Sequence, residues 1–256
     1  MRRVSIVLVG LLLATTAATP TWAAPAAPAP PSARVAPLTP AERAAQSKAF
    51  RDGLLQGGGE LMRWAINEYP DEFQRLEADV IDGMHNGTLT FAEASKRTFD
   101  FSVELRGRAM GYVAKAPDVE LRRMLNQQVG LLRYFKTVNL KACYEFGEAG
   151  GLTQETAMTL GDDATKRMAA YANEIVKTVI AGQTSPVARS PLTPADFGPI
   201  IDAYNDNGGT SAWLAASGTG DFSNVTPDQR CDSVIALLQG VLSLDDRVVG
   251  RFIVTK

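Results

Sequence analysis

Residues 82–93, DGMHNGTLTFAE, contain the side chains in this chain whose types and spacing come closest to a metal site. Oxygen-bearing side chains recur there at intervals of two to four residues around a central glycine, Gly87. Hard cations such as calcium are held by carboxylate, amide, hydroxyl and carbonyl oxygens at such spacings. The candidate ligands are Asp82, Asn86, Thr88, Thr90 and Glu93. The same stretch holds His85, the only histidine in the chain.

The spacing of these residues resembles the EF-hand calcium loop, with Asp82 at position 1, Gly87 at 6 and Glu93 at 12. The departure is Met84 at position 3, which offers a hard cation no oxygen. A hinge between two helices explains the same letters, because Asn86-Gly87 favours a turn and Thr90 with Glu93 forms a capping box. The sequence therefore predicts a hinge, and a calcium site is the alternative.

Catalytic constellations are not evident. A Ser/His/Asp triad would depend on His85, and the HExxH, CxxCH and P-loop patterns do not occur in the sequence. The glycines of QGGGE at residues 56–60 lack the Lys-Ser/Thr that completes a phosphate loop, so they predict a helix break. A hydrolase that uses two carboxylates is the enzymatic alternative, because such an enzyme needs no other residue type.

Cys143 and Cys231 are the only cysteines, and they are 88 residues apart. An even cysteine count in an exported chain indicates a structural disulfide. We therefore predict a bond between these two residues.

The N-terminus predicts export. Arg2 and Arg3 precede an apolar run of about 15 residues, which is shorter than the roughly 20 residues of a membrane span. Thr21 and Ala23 fit a cleavage site, so residues 1–23 are interpreted as a secretory signal peptide and no transmembrane segment is expected after its removal. Residues 24–39 are rich in alanine and proline and predict an extended tether. The expected location is periplasmic or secreted.

The composition is that of a globular protein, with 45% hydrophobic and 21% charged residues. Without Arg2 and Arg3 the chain keeps 24 basic and 28 acidic residues. This acidic balance argues against a nucleic-acid partner, since such proteins normally carry a basic excess. Residues 68–95 are rich in acids and residues 96–141 in bases. This asymmetry predicts adjacent helices with complementary charge.

Helix signals dominate the rest of the chain. LTPAE at Leu38, LTPAD at Leu192 and VTPDQ at Val225 each combine a threonine N-cap, a proline at the first helical position and an acid or amide in the first turn. These pentads resemble the LTxxQ motif of small periplasmic stress chaperones, and helix capping accounts for the same residues. The predicted fold is an all-α helical bundle over residues 40–183 with a C-terminal helical segment, residues 184–256, packed on it.

Several finer expectations follow from periodicity. One apolar stripe runs from Val119 to Tyr144 and predicts a continuous helix, and another helix is expected from Thr153 to Gly182. Small residues at Gly107, Gly111 and Ala114 predict close approach of a neighbouring helix. The last ten residues fit either a helix or a strand.

Together these features predict an exported binding or interaction protein of the cell envelope, with a chaperone-like, inhibitor or scaffold role and a protein partner. No cofactor is expected apart from calcium in the alternative interpretation of residues 82–93. The other alternative is the carboxylate hydrolase, acting on envelope polymers.

Overall fold

A computed structural model describes residues 36–254, apart from the side chains of residues 56–58, 103 and 154. The described residues form helices and no strand, which confirms the predicted all-α fold. The helices, in chain order, are α1 (Pro40–Glu68), α2 (Pro70–His85), α3 (Phe91–Val113), α4 (Asp118–Val138), α5 (Leu140–Ala149), α6 (Gln154–Met158), α7 (Asp162–Thr184), α8 (Pro194–Asp206), α9 (Ser211–Thr219), α10 (Pro227–Ser243) and α11 (Asp246–Val254). The predicted signal peptide, and the tether up to residue 35, lie outside the described residues.

The three threonine-proline signals all begin helices, as predicted. Thr39, Thr193 and Thr226 are N-caps of α1, α8 and α10, each with proline in the first turn and a complete capping box. In such a box the threonine hydroxyl accepts a backbone N–H, and the side chain three residues later accepts the backbone N–H of the cap. Local chemistry therefore fixes these three helix starts.

Two helices predicted as continuous are interrupted. Asn139 separates α4 from α5: its backbone is extended, its side chain accepts the N–H of Ala142 at 3.0 Å, and its amide donates to Thr159 Oγ1 at 2.7 Å. The helix expected from Thr153 ends at Met158, and α7 begins at Asp162 after a break around Gly161. The prediction of uninterrupted helices was wrong. The apolar periodicity continues across both breaks and therefore does not reveal them.

The described residues divide into two compact units, residues 36–108 and residues 109–254. In the first unit α1 packs on α2, and α1 itself is broken at Gly59, which has a positive φ of 52°. The predicted charge complementarity is present between α2 and α3, where acidic side chains of α2 pair with basic side chains of α3. Arg108 pairs with Glu72 at 2.8 Å, and Arg97 lies 4.0 Å from Asp79.

In the unit of residues 109–254, α4 packs against α5, α7, α10 and α11, and α8 packs against α10. Close helix approach occurs at glycines other than the predicted ones. A side chain at Gly182 would collide with the carbonyl of Tyr112, and one at Gly240 would lie 2.9 Å from the backbone of Ala203. An added Cβ at Gly107 or Gly111 would meet nothing within 4 Å, so the predicted small-residue contact was wrong.

The connection between α7 and α8 is held by three anchors. The Val187 N–H donates to the Lys115 carbonyl at 2.7 Å, and the nearly buried Arg189 donates to Asp118 at 2.5 Å. Arg251 of α11 pairs with Asp196 of α8 at 2.8 Å. Of the last ten residues, those up to Val254 belong to helix α11, and the Arg251–Asp196 pair fixes the start of α8 against it. The division of the chain at residue 184 stays a prediction.

Candidate functional site

The calcium-ligand candidates at residues 82–88 have protein partners. Asp82 forms an ion pair with Arg43 of α1, and Asn86 is the C-terminal cap of α2. The Thr88 hydroxyl donates to the Gly83 carbonyl at 3.2 Å, and Gly87 has a positive φ of 67°, the backbone conformation that glycine favours in turns. These contacts are those of a helix-ending turn.

The remaining two candidates form the predicted capping box. The Thr90 N–H donates to a Glu93 carboxylate oxygen at 2.7 Å, and the Glu93 N–H donates to the Thr90 hydroxyl at 3.3 Å. The hydrogen bonds from Thr90 lower the pKa of Glu93. At the end of α2, His85 Nε2 donates to the Ala36 carbonyl at 2.7 Å and joins the start of the described chain to this turn.

Within residues 36–254 no three His, Cys, Asp or Glu side chains are grouped in a way that could hold a metal ion. Asp82 and Glu93 face different partners, Arg43 and Thr90. The structure thus gives the oxygens of residues 82–93 hinge and capping contacts, and calcium binding stays a prediction.

The sulfur atoms of Cys143 and Cys231 lie at disulfide distance, with 5.5 Å between the Cα atoms. Both residues are buried, and they link α5 to α10. The geometry matches the predicted staple between the C-terminal helices and the earlier part of the chain.

Next to this cysteine pair, Arg230 occupies a largely enclosed position. Its guanidinium carbon contacts the faces of two aromatic rings, 4.1 Å from the centroid of Tyr144 and 4.8 Å from that of Phe222. Its Nε donates to both Glu148 oxygens, at 3.0 and 3.2 Å, and this hydrogen bonding raises the pKa of Arg230. Trp213 Nε1 also donates to Glu148, at 3.1 Å. The cluster joins α5, α9 and α10 and is satisfied internally.

The buried carboxylates bear on the hydrolase alternative. Glu77 accepts hydrogen bonds from Arg51 and from Ser47, and Glu174 pairs with Arg123 and Lys177. Burial raises the pKa of Glu77, but the hydrogen bonds from Arg51 and Ser47 and the charge of Arg51 outweigh it, so the pKa is lowered. A glycosidase general acid needs the opposite shift.

The outer side of α8 carries apolar side chains that the fold does not cover. Phe197 is 44% exposed and Ile201 is 42% exposed, and they lie one helical turn apart. The adjoining side of the same helix is buried through Ile200, Ala203 and Tyr204. Among the described side chains, no other two exposed large apolar residues lie four positions apart in one helix.

Two acidic side chains lie on another exposed side of α8, about 140° and 180° around the helix from Phe197. Asp202 and Asp206 are both exposed, and α8 contains no basic residue. Across the described part of the chain neither carboxylate has an ion-pair or hydrogen-bond partner. We use the term α8 outer face for Phe197 and Ile201.

The LTPAD signal predicts that a helix begins at Pro194, but it does not identify this face. The available signal was one apolar stripe about 100° wide, formed by Phe197, Ile200, Ile201 and Tyr204. A stripe of this width ordinarily faces the core, so exposure of two of its four residues is a feature that only the structure shows. The sequence does not reveal which side the neighbouring helix covers.

Comparison of the chain with protein-family models, with curated proteins and with solved structures finds no match. Over residues 36–254, none of the helices combines the length and apolar character that crossing a bilayer requires.

Proposed function

We propose that this chain is an exported interaction protein of the cell envelope, periplasmic or secreted, that binds a protein partner through the α8 outer face. The observation that carries the proposal is the exposed pair Phe197 and Ile201 on a helix that is anchored through the buried residues Ile200, Ala203 and Tyr204. Aromatic and aliphatic side chains of this kind are typical anchors of protein interfaces.

The rigidity of α8 supports a binding role. The Tyr204 hydroxyl donates to the Thr210 carbonyl at 2.8 Å and accepts the Thr210 N–H at 2.7 Å. Gly240 lets α10 approach the α8 backbone closely, and the Arg251–Asp196 pair holds the helix start. A face on a fixed helix loses little conformational entropy on binding, which favours affinity.

Export is supported by two features. The first 23 residues have the charge and apolar pattern of a secretory signal, and the cysteine pair lies at disulfide distance, which suits an oxidising compartment. The role is then that of a chaperone-like, inhibitor or scaffold protein.

Site-specific photo-crosslinking tests the proposal. Mature protein, residues 24–256, would carry a photoreactive phenylalanine analogue at position 197, or at position 180 of α7 as a control with a similarly exposed apolar residue. Each is mixed with envelope extract, once with calcium and once with EDTA. We expect one protein to be crosslinked from position 197 and not from 180, and excess wild-type protein but not the Phe197→Asp variant to compete.

Equal crosslinking from both positions, or none from position 197, would contradict the proposed function. A crosslink that forms only with calcium would restore residues 82–93 as a functional loop.

A further inference from the structure

Two Asn-Gly pairs occur in the sequence, and each lies at the end of a helix in a nearly identical backbone conformation. Asn86 follows α2 with φ −81° and ψ −1°, and Asn207 follows α8 with φ −90° and ψ 10°. Gly87 and Gly208 have positive φ values of 67° and 86°. All four residues are exposed. The two pairs therefore provide a matched comparison within one molecule.

An Asn-Gly pair has the groups for a reaction that needs no enzyme. The Gly nitrogen attacks the carbonyl carbon of the Asn side chain and forms a C–N bond, and the side-chain nitrogen leaves as ammonia with the proton of the Gly N–H. Water then opens the resulting succinimide ring. Breaking its C–N bond at the side-chain carbonyl gives aspartate, and breaking that at the main-chain carbonyl gives isoaspartate. Glycine favours the attack because no side chain crowds its nitrogen.

The two Asn side chains are restrained differently. The amide of Asn207 donates to the Ala203 carbonyl at 2.8 Å, which ties the side chain to the last turn of α8. The side chain of Asn86 has no hydrogen-bond partner among the described residues. Rotation of the side chain towards the attacking nitrogen therefore breaks a protein hydrogen bond at Asn207 and none at Asn86.

The two attacking nitrogens differ in the same direction. The Gly208 N–H donates to the Asn205 carbonyl at 2.9 Å, which is a normal length for such a bond. The Gly87 N–H donates to the Met84 carbonyl at 3.3 Å, slightly longer than the usual range. Since the nitrogen has to lose this bond before it attacks, the pair at residues 86–87 is again the less restrained.

Each turn has to open before the ring can close, because ψ near zero holds the Gly nitrogen away from the side-chain carbonyl. The turn after α2 is held by the N–H groups of Thr88 and Leu89, which share the Gly83 carbonyl at 2.9 Å. The turn after α8 is held by the buried Tyr204, whose hydroxyl donates to the Thr210 carbonyl at 2.8 Å and accepts the Thr210 N–H at 2.7 Å. Opening the second turn therefore disturbs the core.

We propose that Asn86 is a site of spontaneous deamidation in the folded protein, and that the fold protects Asn207 from the same reaction. The reaction consumes one water and releases one ammonia at each converted residue, and it needs no partner of the α8 outer face.

Either product alters the end of α2. The new carboxylate lies four residues after Asp82 and at the helix C-terminus, where both the like charge and the helix dipole disfavour it. Isoaspartate also adds a methylene group to the main chain between α2 and α3. Conversion of Asn86 therefore weakens the hinge at residues 82–93.

Timed incubation of the mature protein, residues 24–256, at mildly alkaline pH tests the proposal. Trypsin then releases residues 76–96, in which Asn86 is the only Asn or Gln, and residues 190–230, in which fragment masses locate Asn207. Mass spectrometry with chromatography separates the Asn, aspartate and isoaspartate forms. We expect Asn86 to convert at least about fivefold faster than Asn207, which is the rate ratio for one hydrogen bond of about 1 kcal/mol.

A parallel incubation in guanidinium chloride shows whether the fold causes the difference. There the two rates should agree within about twofold, because the denatured chain lacks the helix-end contacts. Asn86→Gln should abolish the product in residues 76–96, since Gln needs a less favourable six-membered ring, and should leave the rate at Asn207 unchanged. Asn86→Asp supplies the aspartate product and should unfold at a lower urea concentration than the wild type.

Three outcomes would overturn the proposal. The first is conversion of Asn86 no faster than that of Asn207 in the folded protein. The second is a fivefold ratio that persists in guanidinium chloride, because the neighbouring sequence would then set the rates. The third is a folded protein that converts at neither site during the time in which the denatured chain reacts, because the turn at residues 86–87 would then be protected as well.

Discussion

The two sides of α8 differ in the burial and hydrogen bonding of their side chains. On the inner side Tyr204 is fully buried, its hydroxyl both donates and accepts a hydrogen bond, and Gly240 brings α10 into backbone contact. On the outer side Phe197 and Ile201 are exposed, and farther around the helix the exposed Asp202 has no polar partner among the described residues. The inner side follows the rules of a stable fold. The outer side departs from them at a cost, which is expected of a surface that is completed by another molecule.

The largest expected effect concerns the cysteine pair, which anchors α10 and hence the inner side of α8. Replacing both residues, Cys143→Ala with Cys231→Ala, should lower the free energy of unfolding by about 4 kcal/mol, because the bond closes an 88-residue loop. Urea unfolding of the oxidised wild type and of the variant measures the loss. Reduced wild type should match the variant, and a loss below about 1 kcal/mol would show that helix packing alone holds α10.

The next effect compares an enclosed arginine with an exposed one. Arg230→Met should cost about 2–3 kcal/mol, because Glu148 stays largely buried without its partner and the contacts with Tyr144 and Phe222 weaken. Arg167 makes the same kinds of contact, with the Tyr134 ring at 4.4 Å and with Asp163, but in solvent.

The Arg167→Met variant is therefore the control, and its unfolding free energy should change by at most about 0.5 kcal/mol. Similar losses in the two variants would contradict the view that enclosure, and not the type of contact, decides the contribution.

Much of the fold was predictable because its signals are local. The threonine-proline starts at Thr39, Thr193 and Thr226 carry their own hydrogen-bond partners within three residues, so the sequence alone predicts them. The hinge at residues 82–93 is of the same kind, since Thr90 and Glu93 satisfy each other. The helix break at Asn139 is only partly of this kind: its side-chain oxygen caps α5 locally through the Ala142 N–H, but its amide N–H group donates to Thr159, 20 residues away.

The candidate site depends on tertiary packing in the same way as that break. Phe197 and Tyr204 are both large aromatic residues of one helix, and the sequence does not distinguish the exposed one from the buried one. Which of them is covered is decided by the position of α10, and therefore by the close approach at Gly240. Glycine inside a helix ordinarily destabilises the helix, so the packing role of Gly240 is visible only in the structure.

A smaller effect tests that close approach. Gly240→Ala should destabilise the protein by about 1–3 kcal/mol, because the new Cβ would lie 2.9 Å from the backbone of Ala203 and force α8 away from α10. Gly130→Ala in α4 is the matched control: its Cβ meets nothing within 4 Å, and the substitution should stabilise by about 0.5–1 kcal/mol. Thermal and urea unfolding measure both variants, and a stabilised Gly240→Ala protein would contradict the assigned contact.

The smallest expected effect concerns two aspartates of α8 whose replacement should change the free energy of unfolding in opposite directions. Asp206→Asn should raise the free energy of unfolding by about 0.5 kcal/mol, because it relieves the repulsion from Asp202 and the unfavourable interaction with the helix C-terminus. Asp196→Asn should lower it by about 1 kcal/mol, because Asp196 caps the helix start through Thr193 and pairs with Arg251. Added salt should shrink the gain in Asp206→Asn by screening the charges. Because the two substitutions are chemically identical and lie on one helix, a loss of stability in both would mean that Asp206 has a folding role, and the outer side of α8 would then no longer differ from the inner side.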